Sequence, residues 1–133
     1  MENNPIDVFF NIFNFSETEK IKMIELNLFK LITKGTILIK EGDFPKHNFI
    51  VIKGSLREYR IKDGMEKTIE FYVEEGAIFS ESTIDGKPSE SYLVSETDCI
   101  LLRSSEKEEY IFRTNFPRIN SFCNSFIKKE VIK

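Results

Sequence analysis

The side chains that most often carry catalysis or bind metals are scarce in this sequence. His47 is the single histidine, and it stands without the several imidazole or thiolate ligands that a transition-metal site combines. The two cysteines, Cys99 and Cys123, are too few for a disulfide framework or an iron–sulfur cluster, and we expect both to be reduced structural thiols. We therefore predict no metal site, and we interpret His47 as a residue of a surface turn.

Nucleophilic catalysis also lacks the residues it needs. Four serines lie close together in the sequence, at Ser80, Ser82, Ser89 and Ser91, but only carboxylates are nearby to activate them. We therefore predict that the protein is not an enzyme and has no catalytic residues. A metalloenzyme of the cupin class is disfavoured by the same lack of ligands.

The composition fits one compact globular domain. The chain has 133 residues, 41% of them hydrophobic and 31% charged, with a net charge of -3. Charged residues interrupt the apolar stretches well before the roughly 18 residues that a membrane span needs, and residues 1–7 do not resemble a signal peptide. We expect a cytoplasmic protein without membrane contact. Basic and acidic residues are interspersed, so this stretch alone is not expected to bind DNA.

The glycines indicate that the middle of the chain is rich in β-strands. All six lie between residues 35 and 86, and the stretches between them are rich in β-branched and aromatic residues. Regularly spaced turn signals of this kind are typical of antiparallel sandwiches and barrels, because glycine adopts a positive φ without strain. We predict strands over residues 36–40, 48–53, 55–61, 67–73, 91–95 and 99–103.

Polar and apolar residues alternate along the predicted strand 55–61, which indicates one buried face and one exposed face. Tyr59 and Ile61 share a face, and we expect that face to point inward. The Asp63-Gly64 pair that follows is typical of a two-residue hairpin turn, so the next strand, 67–73, should pair with this one.

Helices are predicted on both sides of the β-rich block. Ser16 and Glu19 form a capping-box pattern, in which each side chain accepts a hydrogen bond from the backbone N–H of the other residue. A shorter helix over residues 7–13 precedes it. Ser105 and Glu108 repeat the capping-box pattern after the last predicted strand.

A final helix is predicted to begin near Pro117, because Asn115-Phe116-Pro117 ends one helix and places proline in the first turn of the next. This last helix carries a single apolar stripe. The stripe is formed by Ile119, Phe122, Cys123, Phe126, Ile127 and Val131.

Five blocks in the same order resemble the cyclic-nucleotide-binding domain of the Crp/Fnr superfamily of transcriptional regulators. The blocks are G-x-x-L-x-x-E-G-D at 35–43, FIVIKGSL at 49–56, the Asp-Gly turn at 63–64, GAIFSE at 76–81, and the stretch from GKPS at 86–89 to the strand at 99–102. Together the resemblance covers about residues 28 to 131.

The resemblance implies a mainly β fold, a double-sheeted β-roll of the jelly-roll type with short N-terminal helices and a C-terminal helix. On this basis we expect a single domain, with a helical lead over residues 1–30, the β-roll over 31–103 and C-terminal helices over 104–133.

In that family, the segment corresponding to residues 79–91 is a phosphate-binding cassette. The resemblance assigns Glu81 to the ribose 2'-hydroxyl, whereas Ser80 stands where the family has a glycine and Ser89 stands where it has the arginine that pairs with the phosphate. The ligand-binding residues implied are Phe79, Ser80, Glu81, Ser82, Ser89 and Ser91.

The replacement at Ser89 disfavours a cyclic nucleotide, because losing a charge-assisted contact to an anion costs about 1.5–3 kcal/mol. Glu90 adds negative charge beside it, and Lys87 lacks the planar fork of an arginine. We therefore expect no cofactor. Glu81 could instead cap a turn or pair with a lysine, and Ser89 and Ser91 could either hydrogen-bond a neutral small molecule or belong to an ordinary loop.

The function implied is the effector-sensing and dimerisation domain of a Crp/Fnr-like transcriptional regulator, in which a small molecule is the effector. We expect a homodimer through Ile119, Phe122, Cys123, Phe126 and Ile127, although this stripe could instead pack on the chain's own β-roll. DNA would be bound only through a segment beyond Lys133. The alternative is a stand-alone β-roll interaction module, and the natural reading frame after Lys133 would distinguish the two.

Overall fold

In the part of the chain that the structure describes, two helices precede the strands and a third follows them. The computed structural model describes residues 4–73, 77–78 and 87–115, and no helix in these ranges is long and apolar enough to cross a membrane. The helices are α1 (Pro5–Ile12), α2 (Glu17–Glu25) and α3 (Glu106–Asn115). The strands are β1 (Phe29–Ile32), β2 (Ile37–Ile39), β3 (His47–Lys53), β4 (Leu56–Lys62), β5 (Met65–Tyr72), β6 (Ala77–Ile78), β7 (Tyr92–Ser95) and β8 (Cys99–Ser105).

The strands form two four-stranded sheets. The first has the order β1-β8-β3-β6 and the second the order β2-β7-β4-β5, and every pairing is antiparallel. The predicted double-sheeted, mainly β fold is confirmed. All six predicted strands are present, and the sequence analysis missed β1 and β6.

Strand β3 of the first sheet is buried on both faces. Along β3, Phe49 and Val51 belong to a core cluster with residues of the second sheet, while Ile50 and Ile52 belong to a cluster with the N-terminal helices. A strand covered on both faces is apolar in every position, which explains the uninterrupted run from Phe49 to Ile52. The helical lead therefore forms the outer cover of the first sheet.

The face prediction for β4 is wrong. Leu56 is fully buried in the core between the sheets, whereas Ile61 is 49% exposed. Tyr59 is buried, but on the opposite face from Leu56, where its ring stacks on Tyr92 at 5.1 Å and lies under Arg57. The inner face of β4 is therefore the one that carries Leu56 and Glu58.

The local turn and cap predictions are confirmed. Asp63 and Gly64 have φ of 53° and 79°, as a two-residue hairpin requires, and Lys62 pairs with Met65 across it. Ser16 and Glu19 exchange backbone hydrogen bonds of 2.8 and 3.2 Å, and Ser105 and Glu108 exchange bonds of 2.9 and 3.2 Å. Helix α1 begins earlier than predicted, because Asn4 caps it and accepts from the Ile6 N–H at 2.9 Å.

Gly54, between β3 and β4, is fixed both by its conformation and by its surroundings. Its φ is +98°, and a Cβ there would lie 2.6 Å from the Asp98 carbonyl oxygen and 2.8 Å from Cys99 Sγ. Gly35 also has a positive φ, +86°, but a Cβ there would meet nothing within 4 Å. A side chain at Gly35 would cause backbone strain alone, whereas a side chain at Gly54 would cause both strain and a steric clash.

We expect Gly54→Ala to lower the free energy of unfolding by about 3 kcal/mol or more, because strain and a backbone collision add. Gly35→Ala is the matched control and should cost only about 1–2 kcal/mol, for strain alone. Urea unfolding followed by circular dichroism measures both. Equal losses in the two variants would contradict the close approach at Gly54.

Candidate functional site

The structure places two of the predicted ligand-binding residues, Ser89 and Ser91, just before β7. The other four, Phe79, Ser80, Glu81 and Ser82, lie outside the described residues. The predicted dimer residues also lie outside them: Ile119, Phe122, Cys123, Phe126 and Ile127. Within the described residues, the candidate site is the wall of the roll, formed by Ser89, Ser91 and the inner face of β4.

Ser89 is held by both its backbone and its side chain. Its N–H donates to the Asp43 carbonyl at 2.7 Å, and its own carbonyl accepts from the Gly42 N–H at 2.8 Å. Its hydroxyl donates to the Ser91 carbonyl at 2.8 Å and accepts from the Ser91 N–H at 3.2 Å. The hydroxyl is thus engaged in a local turn, as serine side chains often are.

Ser91 links this turn to the inner face of β4. Its buried hydroxyl donates to Glu58 Oε2 at 2.6 Å, and the Tyr72 hydroxyl donates to Glu58 Oε1 at 2.8 Å. Each carboxylate oxygen therefore accepts one hydrogen bond, which stabilises the half-buried charge. Sequence reasoning missed Glu58 because it assigned Tyr59 to the inner face. The signal was Leu56, an apolar residue in the same phase as Glu58.

Glu90 projects from the same segment and pairs with an arginine of β4. Arg60 Nη2 lies 3.0 Å from Glu90 Oε2, and the two side chains are 50% and 79% exposed. Exposed pairs of this kind contribute little to stability, because water and salt screen them. A carboxylate of the protein itself therefore already pairs with Arg60.

The outer face of β4 carries a separate cluster around Arg57. Its guanidinium donates to Glu96 and to Glu66, the latter at 2.8 Å, and lies 4.5 Å from the centre of the Tyr59 ring. The hydrogen bonds to Glu66 and Glu96 raise the pKa of Arg57. Glu66 lies on β5 and Glu96 directly follows β7, the two strands that flank β4 in the sheet.

The single histidine does not lie in a turn, which corrects the prediction for it. His47 is the first residue of β3, pairs with Ser105 of β8 and is half-buried. Partial burial and the charge of Arg103 lower its pKa, so it is neutral near pH 7. Within the described ranges, no three His, Cys, Asp or Glu residues approach closely enough to hold a metal ion.

Cys99 is a buried thiol, as expected for a structural cysteine. Its Sγ lies 3.2 Å from the Thr97 carbonyl oxygen and 3.4 Å from the Ser55 carbonyl oxygen, to which it donates. The other cysteine, Cys123, lies outside the described residues.

Helix α3 connects the roll to the chain that follows, and a half-buried carboxylate holds it against the first sheet. Asn48 of β3 donates to Glu109 Oε2 at 3.3 Å, and Arg113 lies 3.9 Å from Glu109 Oε1, one helical turn on. Burial raises the pKa of Glu109, although Arg113 and Asn48 oppose this effect. The helix is therefore fixed to the first sheet by a carboxylate that is partly shielded from water.

The chain belongs to the cyclic nucleotide-binding domain family, whose model matches residues 29–115. This match spans the roll and α3, including the wall that holds Ser89, Ser91 and Glu58. A comparison with curated protein sequences found no match.

Solved structures show the same fold at low sequence identity. The catabolite activator protein of Thermus thermophilus matches with a TM-score of 0.66 and 16% identity over 96% of this chain and 58% of that one. The N-terminal domain of a transcriptional regulator from Streptomyces coelicolor matches with a TM-score of 0.66 and 17% identity, over 97% and 87%. The regulatory domain of Toxoplasma gondii PKA, bound to cAMP, matches with a TM-score of 0.59 and 22% identity, over 75% and 37%. This chain thus spans about a third to three fifths of the Toxoplasma and Thermus proteins.

The raised pKa of Glu109 predicts a pH-dependent stability with a definite sign. The native state holds this proton more tightly than the unfolded chain, where the carboxyl titrates near pH 4.5. Its contribution to the free energy of unfolding is therefore largest below pH 4.5 and declines as the pH rises through the native pKa. Relative to Glu109→Gln, the wild type should lose stability across this window, measured by urea unfolding between pH 4 and 7. A wild type that gains stability relative to Glu109→Gln as the pH rises would contradict the assignment.

Proposed function

We propose that the chain is the effector-sensing and dimerisation domain of a Crp/Fnr-like transcriptional regulator, and that its cyclic-nucleotide pocket is degenerate. The family match supports a regulatory binding domain. Two further observations favour a transcriptional regulator: the Streptomyces structure is described as the N-terminal domain of one, and a sensor domain of the regulator DNR from Pseudomonas aeruginosa shares the fold with a TM-score of 0.60 and 16% identity. The domain comprises the helical lead, the roll and the C-terminal helices over residues 1–133.

The main support for a degenerate pocket comes from the hydrogen bonds of Ser89, Ser91 and Glu58. A phosphate needs donors and a cation, but the Ser89 hydroxyl donates to a backbone carbonyl and the Ser91 hydroxyl donates to a carboxylate. The wall therefore presents the charge of Glu58 where an anionic ligand would need an attractive partner. Arg60 already pairs with Glu90.

The proposed mechanism is a shift between two states of the domain. A small effector that binds the roll better in one state repositions the segment over residues 79–91 and, through packing, the C-terminal helices. The contact between Asn48 and Glu109 supports this route, because it ties α3 directly to a central strand of the first sheet. An attached DNA-binding domain would read the change.

The second candidate, a stand-alone interaction module, is favoured by the outer face of the second sheet. Phe71, Ile37 and Ile61 are 56%, 44% and 49% exposed there. Exposed apolar side chains on one sheet face are a feature of surfaces that bind other proteins. A natural chain that continues into a winged helix-turn-helix after Lys133 would favour the regulator over this module.

We expect neither cyclic AMP nor cyclic GMP to bind more tightly than about 100 μM, or about -5.5 kcal/mol, in calorimetric titrations. The physical reason is the missing cation at Ser89 and the nearby carboxylates of Glu58 and Glu90. Ser89→Arg should recover part of the affinity, since it restores a bidentate partner for the phosphate. A low-micromolar constant for the wild type would contradict the degenerate pocket, and no change in Ser89→Arg would contradict the cassette geometry.

Substitutions in the apolar stripe of the last predicted helix test whether the chain forms a homodimer through it. Phe122→Asp combined with Phe126→Asp places two charges in the proposed interface, and burying them unpaired should dissociate the dimer. Asn124→Asp, which lies off the stripe, is the matched control and should remain dimeric. Sedimentation velocity measures the oligomeric state. A wild-type chain that sediments as a monomer at every concentration would contradict the proposal.

A further inference from the structure

Two charged pairs of residues follow the core on the inner face of the β4–β5 hairpin. Residues directly opposite each other in an antiparallel pair project from the same face. Leu56 and Tyr72 are one such pair, and they contact the core between the sheets. The next pair along the same face is Glu58 with Glu70, and the one after it is Arg60 with Lys67. An acidic pair and a basic pair thus lie side by side.

A β-bulge in β5 creates this arrangement. Glu58 pairs with Glu70, but its neighbour Tyr59 pairs with Thr68, so Ile69 is the extra residue. In a regular strand, Glu70 and Lys67 would lie on opposite faces, because they are an odd number of residues apart. The bulge brings Lys67 to the inner face beside Glu70, which is how bulges re-aim side chains at functional sites.

The charges of the two pairs are incompletely compensated. Like charges directly opposite each other destabilise a sheet unless counter-charges are near. Among the residues that the structure describes, Glu58 accepts hydrogen bonds from two neutral hydroxyls, and Arg60 pairs with the exposed Glu90. Within the described ranges, neither Glu70 nor Lys67 forms an ion pair. The wall therefore offers one position for a cation and, next to it, one for an anion.

We propose that this wall binds a small zwitterion, a free α-amino acid or a molecule with the same pair of groups. Its ammonium lies between Glu58 and Glu70, and its carboxylate binds Arg60 and Lys67. The pairs lie two residues apart along β4, roughly 7 Å, a gap that the flexible Lys and Arg side chains close around a compact ligand. The carboxylate displaces Glu90 from Arg60, an exchange of one exposed ion pair for another.

This inference deepens the proposed function and rests on it, since the zwitterion would be the effector. A cyclic nucleotide does not suit the wall, because it has an anionic phosphate and no ammonium to meet the acidic pair. Both charged groups of the ligand are required, because each of them compensates a pair of like charges in the protein.

The test is calorimetric titration of the full chain with the common free α-amino acids, each compared with its methyl ester and its N-acetyl derivative. We expect at least one amino acid to bind, and both derivatives of it to bind at least about tenfold more weakly, because each removes one charge-assisted contact. Failure of every amino acid to bind a folded chain would overturn the proposal. So would equal binding of an amino acid and its two derivatives.

Single substitutions test which residues contact the bound amino acid. Arg60→Gln and Glu70→Gln should each weaken binding of that amino acid at least about tenfold, whereas Glu90→Gln should strengthen it a few-fold by freeing Arg60. Lys53→Gln, an exposed charge on β3, is the matched control and should bind as the wild type does. Unchanged binding in Arg60→Gln and Glu70→Gln would overturn the site. Different results would contradict the proposed function, namely tight binding of a cyclic nucleotide or a monomeric wild type, so the two failures are distinguishable.

Discussion

The central constraint on this fold is that the apolar run of β3 has to be covered on both faces. Phe49 and Val51 need the second sheet, and Ile50 and Ile52 need the N-terminal helices. Burial of four large apolar side chains contributes roughly 1.5–3 kcal/mol each. The pairing of β3 with β8 in one sheet, and the position of the helical lead, both follow from that requirement.

The inner face of the second sheet changes from apolar to polar within one strand. Leu56 and Leu93 close the core, and the next inward residue of β4 is Glu58, held by Ser91 and Tyr72. The carboxylate keeps two hydrogen bonds where water is partly excluded, so its charge is stabilised at the rim of the core. The fold is that of the cyclic nucleotide-binding domain family, and at this position the inner face of its second sheet carries a hydrogen-bonded carboxylate.

Much of the architecture could be predicted from local signals. The Asp63-Gly64 turn, the capping boxes at Ser16 and Ser105, and all six proposed strands depend on neighbouring residues, and the structure contains them. Strand β1 was missed because its residues continue the apolar pattern of the helical lead, and only pairing with β8 makes them extended. The face of β4 was misassigned because Tyr59 is buried by Arg57 and Tyr92 on the outer side, so burial alone does not identify the inner face.

The sequence by itself determined the fold class and the family resemblance. It also showed that Ser89 stands where the family has its phosphate-binding arginine. All three depend on residue types at fixed spacings along the chain. The tertiary structure decided which charges meet. Glu58, Ser91 and Tyr72 are far apart in sequence, and Lys67 reaches the same face as Glu70 only through the bulge at Ile69. Register between strands is a long-range property, and a shift of one residue exchanges the two faces of a sheet. The alternation along β4 could therefore indicate Glu58, but no local pattern could place Lys67 beside Glu70.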